Sequence, residues 1–199
     1  MSRQRELFPA LLPEGFEVRS SFLAPDRAEP LMAALLSCVE WAEGEIVFSG
    51  KAVKIPRLTA WYGDEGAAYV YSGIRNEPLP WTLELADLRE LVSKEAGVRF
   101  NSVLLNLYRD GADSVAWHSD DEPELGPTPT IASISLGATR RFRLRHKKTR
   151  ETLAIDLEGG SILLMSGESQ RHWEHCLTKT KLEVSERINL TFRVVTVEG

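Results

Sequence analysis

The chain has 199 residues, 43% hydrophobic and 27% charged, which suits one globular domain with a sizeable core. A net charge of −5 argues against a generally basic protein, so any polyanionic partner must meet a local patch. No stretch approaches the ~20 apolar residues of a membrane span. The N-terminal MSRQRELFPALLPEG lacks a secretory leader's apolar run, and two cysteines without CxxC spacing exclude a disulfide framework. The expected setting is the cytoplasm, away from membranes.

Residues 1–23, punctuated by Pro9, Pro13 and Gly15, read as a lead-in with little structure of its own. Asp26 then reads as a helix N-cap, with Pro30 in the early turns. Leu35, Val39 and Trp41 or Ala42 form an apolar stripe, and Gly44 is the expected stop. The run from Ile46 to Lys51 predicts a strand and tight turn, with Phe48 beside the turn as a core cap. Val53 to Tyr62 is a second extended segment, and Pro56 predicts an edge or an irregularity there. Tyr69-Val70-Tyr71 is a strand piece with both tyrosines on one face. Pro80 opens a second helix, lined by Leu85, Leu88, Leu91 and Val92 and ended by Gly97.

After Phe100 the pattern turns to strands: Val103 to Tyr108, Ile131 to Leu136, Phe142 to Leu144, Leu153 to Ile155 and Ser161 to Met165. Glu122 to Pro129 is a surface loop. Many short strands at regular spacing predict a sandwich or barrel, so the fold class is mostly β with N-terminal helices. No internal repeat is present.

His118 and Asp120 lie two apart, so on a strand both side chains aim at one point. A third ligand must come from elsewhere. His172 and His175 are both candidates, and in an extended segment they would face opposite ways. Two histidines and one carboxylate form the facial triad of non-haem Fe(II), with open coordination positions.

Arg187 to Arg193 alternates without a break. Ile188, Leu190 and Phe192 make one face; Arg187, Asn189, Thr191 and Arg193 make the other. That polar face is either the exposed side of an antiparallel sheet or the wall of a cavity. The two arginines lie roughly 20 Å apart along the strand, less the inward reach of their side chains, which suits the two ends of a small dicarboxylate. Asn106 and Tyr108 share a strand face and can add neutral donors. The run from Arg140 to Arg150 holds seven Lys/Arg, with Lys179 and Lys181 beyond it. In an acidic chain this predicts a local phosphate-binding patch.

The order NLY, HSD, RHWEH and RINLTFR, with PRLTAWYGD and YVYSG upstream and IASISLGATRRFRLRHK between, resembles the AlkB-type Fe(II)- and 2-oxoglutarate-dependent dioxygenases. The similarity runs over roughly residues 45–195. It implies a double-stranded β-helix, or jelly roll: residues 1–23 an extension, 24–199 one dioxygenase domain. Within it, 24–100 supplies helices and substrate-recognition strands or lid, and 101–199 the jelly-roll core. It implies His118, Asp120 and His175 as iron ligands, with His172 packing nearby. It implies Arg187 and Arg193 as holders of 2-oxoglutarate, with Asn106, Tyr108, Asn189 and Thr191 assisting. Tyr69 and Tyr71 fall where the family meets the substrate base, Asp121 resembles a substrate-contacting acid, and Phe48 resembles a wedge residue.

The implied reaction is oxidative demethylation of N1-methyladenine and N3-methylcytosine in DNA, using Fe(II), 2-oxoglutarate and O2. Such bases are cationic, so Asp121, with Glu122, would favour them, while Tyr71 or Trp61 stacks on the extruded base. RNA or protein demethylation on the same scaffold is the alternative, and a non-catalytic jelly-roll module the further one. A monomer is expected, nucleoid-associated at most in a bacterium and nuclear in a eukaryote.

Overall fold

The computed structural model describes residues 12–48, 51–71 and 74–196. Strand β1 (Phe16–Arg19) falls inside the expected lead-in; it pairs antiparallel with a later strand, Phe16 opposite Met165, so the chain joins the main sheet from Phe16 onward. Helix α1 (Pro25–Cys38) starts on a proline pre-set for helical φ, with Asp26 in the first turn rather than at the cap. It stops at Cys38 because residues 42–48 are taken by β2 (Ala42–Phe48). Gly44, expected to end the helix, lies in that strand at a register shift between Glu43 and Glu45, where a Cβ would meet Ile55 Cδ1 at 2.6 Å.

Strand β3 (Lys51–Gly63) carries Pro56 in a gap in its pairing: β2 is met at Lys54 and again at Leu58. A residue without an N–H fits that gap, and its carbonyl accepts from Ser114 N–H at 2.9 Å. Strands β4 (Tyr69–Tyr71) and β5 (Ile74–Asn76) form a small separate ribbon. Helix α2 (Leu83–Ala96) begins three residues after Pro80, where Thr82 Oγ1 accepts the Leu85 N–H. It ends on Gly97 at φ 67, a left-handed position that glycine takes at little cost.

The remaining strands are β6 (Ser102–Tyr108), β7 (Val115–His118), β8 (Ile131–Gly137), β9 (Arg140–His146), β10 (Thr152–Leu157), β11 (Ile162–Met165), β12 (Trp173–Leu177) and β13 (Arg187–Arg193), with a one-turn helix α3 (Ser169–His172) before β12. One sheet has the order β1-β11-β8-β13-β6-β3-β2 and the facing sheet β10-β9-β12-β7. From β6 to β13 the chain passes back and forth between the two, which makes the structure a jelly roll.

The helices cover the outer face of the larger sheet. Leu35, Leu85, Leu88 and Val92 pack there with Leu105, Ile134, Ile188, Leu190 and Phe192. Each large apolar side chain so buried contributes about 1.5–3 kcal/mol. Every residue of β13 is buried, so its polar face is not a solvent face. With the apolar residues turned to the helices, Arg187, Asn189, Thr191 and Arg193 must point between the sheets. Among the described residues no helix is long and apolar enough to cross a membrane.

Candidate metal centre and its adjoining cavities

His118 is the last residue of β7, and the antiparallel register sets it directly opposite His175 on β12. Their ring centroids are 4.3 Å apart. Asp120 follows just beyond the strand. Its N–H donates to Gln170 Oε1 at 3.0 Å, and Ser119 Oγ donates to the Trp173 carbonyl at 3.0 Å, which turns the segment inward. The ligand atoms of His118, Asp120 and His175 all lie within 4.8 Å of one another. His118 Nδ1 lies 2.8 Å from the Ala116 carbonyl, which can only accept, so Nε2 is the free ring nitrogen.

His172 ends α3 and His175 sits in β12, so their spacing spans a helix–strand junction rather than one extended segment. His172 is exposed, 3.6 Å from Glu168 Oε2, with its ring stacked on His146. Only His175 reaches the centre.

Burial raises the Asp120 carboxyl pKa, but Arg193, His175 and His118 outweigh it and hold the group at about 2. Burial, reinforced by His118, pushes His175 down to about 3, against the pull of Asp120. One ionised carboxylate and two imidazole rings form a donor set suited to Fe(II).

A narrow cavity of about 50 Å³ opens beside the triad, lined by the inward face of β13, Asn106, Tyr108 and Ser133. Arg187 is 2% exposed. It donates to Ser135 Oγ at 3.0 Å, its guanidinium lies 5.3 Å from the Tyr108 ring centroid, and among the described residues its Nε has no hydrogen-bond partner. Among the described residues no carboxylate lies within ion-pair distance of it. Burial pushes it down to about 10, so it stays charged at neutral pH. A buried cation without an anion is costly, and an incoming carboxylate would relieve that cost. Arg193, at the other end of the same strand face, donates to Asp120 Oδ1. Asn189 donates to Ser133 Oγ at 2.7 Å and accepts from Thr191 Oγ1 at 3.0 Å; Asn106 accepts from Arg57 Nε at 2.7 Å.

A second cavity of about 510 Å³ shares His118, Asp120 and Arg193 with the first. Trp61, Leu79 and Leu104 supply apolar wall; Glu122, Glu40, Glu43, Glu45 and Glu77 supply carboxylates. Trp61 donates its Nε1–H to the Ala67 carbonyl at 3.2 Å. Asp121 lines neither cavity: its side chain is 59% exposed and bonded to Lys147 Nζ at 3.1 Å. The side chains of Phe48, Tyr69 and Tyr71 lie outside the described residues.

The basic run is less available than its composition predicts. Arg140 is buried and donates to the carbonyls of Asp110, Asp113 and Thr178. Arg141 pairs with Asp156, and Arg145 and Arg150 share Glu174. Arg143 rests 5.8 Å from the Trp117 ring centroid.

Sequence reasoning assigned no role to Arg57, which is buried and borders both cavities, nor to Ser133, Ser135 and Gln170. The serines carried a signal: they alternate with the apolar residues of β8. Gln170 carried none, because its partner is a backbone N–H 50 residues away.

The sequence pattern of the 2OG-Fe(II) oxygenase superfamily matches residues 15–193. Over 184 residues the chain is 40% identical to human alpha-ketoglutarate-dependent dioxygenase alkB homolog 3, covering 87% of this chain and 64% of that protein. It is 38% identical over 179 residues to mouse DNA oxidative demethylase ALKBH2, covering 84% and 75%. The chain thus spans just under two thirds of the alkB homolog 3 relatives' length. The solved structure of OsALKBH1 superposes with a TM-score of 0.69 at 18% identity, covering 92% of this chain and 99% of that one, a likeness of fold.

Proposed function

The chain belongs to the 2OG-Fe(II) oxygenase superfamily, and from that premise we propose that it demethylates N1-methyladenine and N3-methylcytosine in DNA. The observation that carries the reading is the placement of one triad between two unlike cavities. The narrow one holds a buried arginine that has no carboxylate partner among the described residues; the wide one combines apolar wall with carboxylates. The relatives' names support DNA as the substrate.

His118, Asp120 and His175 would hold Fe(II), which with 2-oxoglutarate and O2 would supply the oxidation that puts one oxygen atom into the methyl C–H bond and the other into the succinate formed with CO2. The resulting N-hydroxymethyl group departs as formaldehyde, and the C–N electron pair returns to the ring nitrogen. Arg187 would take a carboxylate of 2-oxoglutarate in its fork, with Tyr108 and Asn106 lining the same cavity. Arg193, which holds Asp120 ionised, would offset the charge of the other carboxylate. Glu122 faces the cationic base across a poorly screened cavity, and Trp61 bounds it with an apolar wall.

The test is incubation with Fe(II), ascorbate, 2-oxoglutarate and an N1-methyladenine oligodeoxynucleotide. Equal formaldehyde and restored adenine, absent in His118→Ala, is the expected result. Succinate formation without demethylation would reject this substrate and direct the search to RNA or protein.

A further inference from the structure

We propose that Gln170 is a positioning residue that sets Asp120 against His175, an assignment that rests on the metal-centre reading above. Gln170 is 2% exposed and lies on α3, the single turn that leads into the strand of His175. Its Oε1 accepts the backbone N–H of Asp120 at 3.0 Å. Its Nε2 donates to Ser169 Oγ at 3.3 Å and lies 3.4 Å from Met165 Sδ, so the amide is anchored on both sides.

The geometry explains why such a tie is needed. His118 and His175 are fixed by strand register, but Asp120 lies beyond the last ladder position of β7. Arg193 of β13 bonds its carboxylate, but no ladder pairing with β12 fixes its backbone. Gln170 supplies that constraint from the opposite ligand's segment, so one side chain couples the positions of two ligands. Two outer contacts brace the same junction. Ser119 Oγ donates to the Trp173 carbonyl, and Lys147 Nζ donates to both the Gln170 carbonyl at 2.8 Å and Asp121 Oδ2. Both involve partly or fully exposed groups, whereas the Gln170 contact is buried and touches the ligand residue itself. Residues that orient metal ligands from behind set affinity by about 10–100-fold.

The variants are Gln170→Leu, which removes the acceptor, Gln170→Asn, which keeps the amide but shortens its reach by one methylene, and Gln170→Glu, which keeps an acceptor at full length. Co(II) affinity and visible spectrum are measured on each full-length protein, with amide hydrogen exchange of Asp120 in metal-free protein. The expected result is roughly 10-fold weaker Co(II) binding and lost Asp120 protection in both Leu and Asn variants, with Glu recovering most of each. Asn reporting the same effect as Leu keeps the test decisive where Leu unfolds. Wild-type affinity, spectrum and protection in the Asn variant would overturn the assignment. A wild-type chain that takes up no Co(II) would overturn the metal-centre reading instead, which the exchange data distinguish.

Discussion

Arg193 Nη2 donates a 2.6 Å hydrogen bond to Asp120 Oδ1, with both side chains 4% exposed. One arginine of β13 is therefore committed to a carboxylate of the candidate metal centre, while among the described residues Arg187 at the other end has no such partner. Removing Arg193 leaves a buried carboxylate without its principal cation. Arg193→Ala should lose about 3–5 kcal/mol of stability, read from urea unfolding of metal-free protein. Arg193→Lys, keeping the charge without the fork, should lose less and still bind 2-oxoglutarate more weakly than wild type.

Arg187 makes the opposite case. It is a desolvated cation in the protein by itself, so an apolar side chain of similar length costs the fold little. Arg187→Met should melt no lower than wild type, yet 2-oxoglutarate with Mn(II) should no longer raise its melting temperature. A marked fall in the variant's own melting temperature would show that Arg187 supports the fold rather than the co-substrate.

Asp113 links pH to stability. It accepts from the backbone N–H, Nε and Nη2 of Arg109 at 2.8–2.9 Å, and is 4% exposed. The Arg109 side-chain bonds, opposed by burial and helped by the backbone bond, depress its carboxyl below the ordinary value of 3.8. A depressed carboxylate stabilises the fold above its unfolded pKa and loses that contribution as pH falls through its folded one. Stability should drop as pH goes below about 4, and Asp113→Asn should flatten that limb while lowering stability at pH 7. Unfolding curves at pH 7, 4 and 3 for both proteins check it.

The basic hairpin should divide by role. Lys148 is exposed in the turn after β9, so Lys148→Glu should weaken oligonucleotide binding and reduce its salt slope by about one without altering stability. Arg140→Ala should unfold the protein more readily, because three backbone carbonyls lose their shared donor. Equal effects of both on binding, with both folded, would refute the division.

Much of the site was legible in local spacing. Alternation from Arg187 to Arg193 sorted that strand into two faces with no outside information, since successive side chains on a strand point oppositely. His118 and Asp120 were paired by the same rule, although Asp120 proves to lie past the strand, its backbone N–H tied to Gln170 and its carboxylate to Arg193. Helix α2 was legible through its stripe and Gly97. Strands β1, β7 and β12 were not read as separate elements, being four or five residues long with mixed polarity.

What the sequence by itself determined is the chemistry available: two histidines and a carboxylate, two arginines on one strand face, and a family pattern spanning nearly the whole chain. What only the tertiary structure decided is which groups meet. Strand register chose His175 over His172, and the packing of the two sheets made the polar face of β13 a cavity wall rather than a surface. The fold turned Asp121 toward Lys147 and brought Glu122 to the cavity. It also drew Arg140, Arg141, Arg145 and Arg150 into partnerships that composition cannot show. The reason is physical: a residue's type and spacing fix its charge and local direction, but its partners come from segments tens of residues away, and only the packing of the two sheets sets those distances.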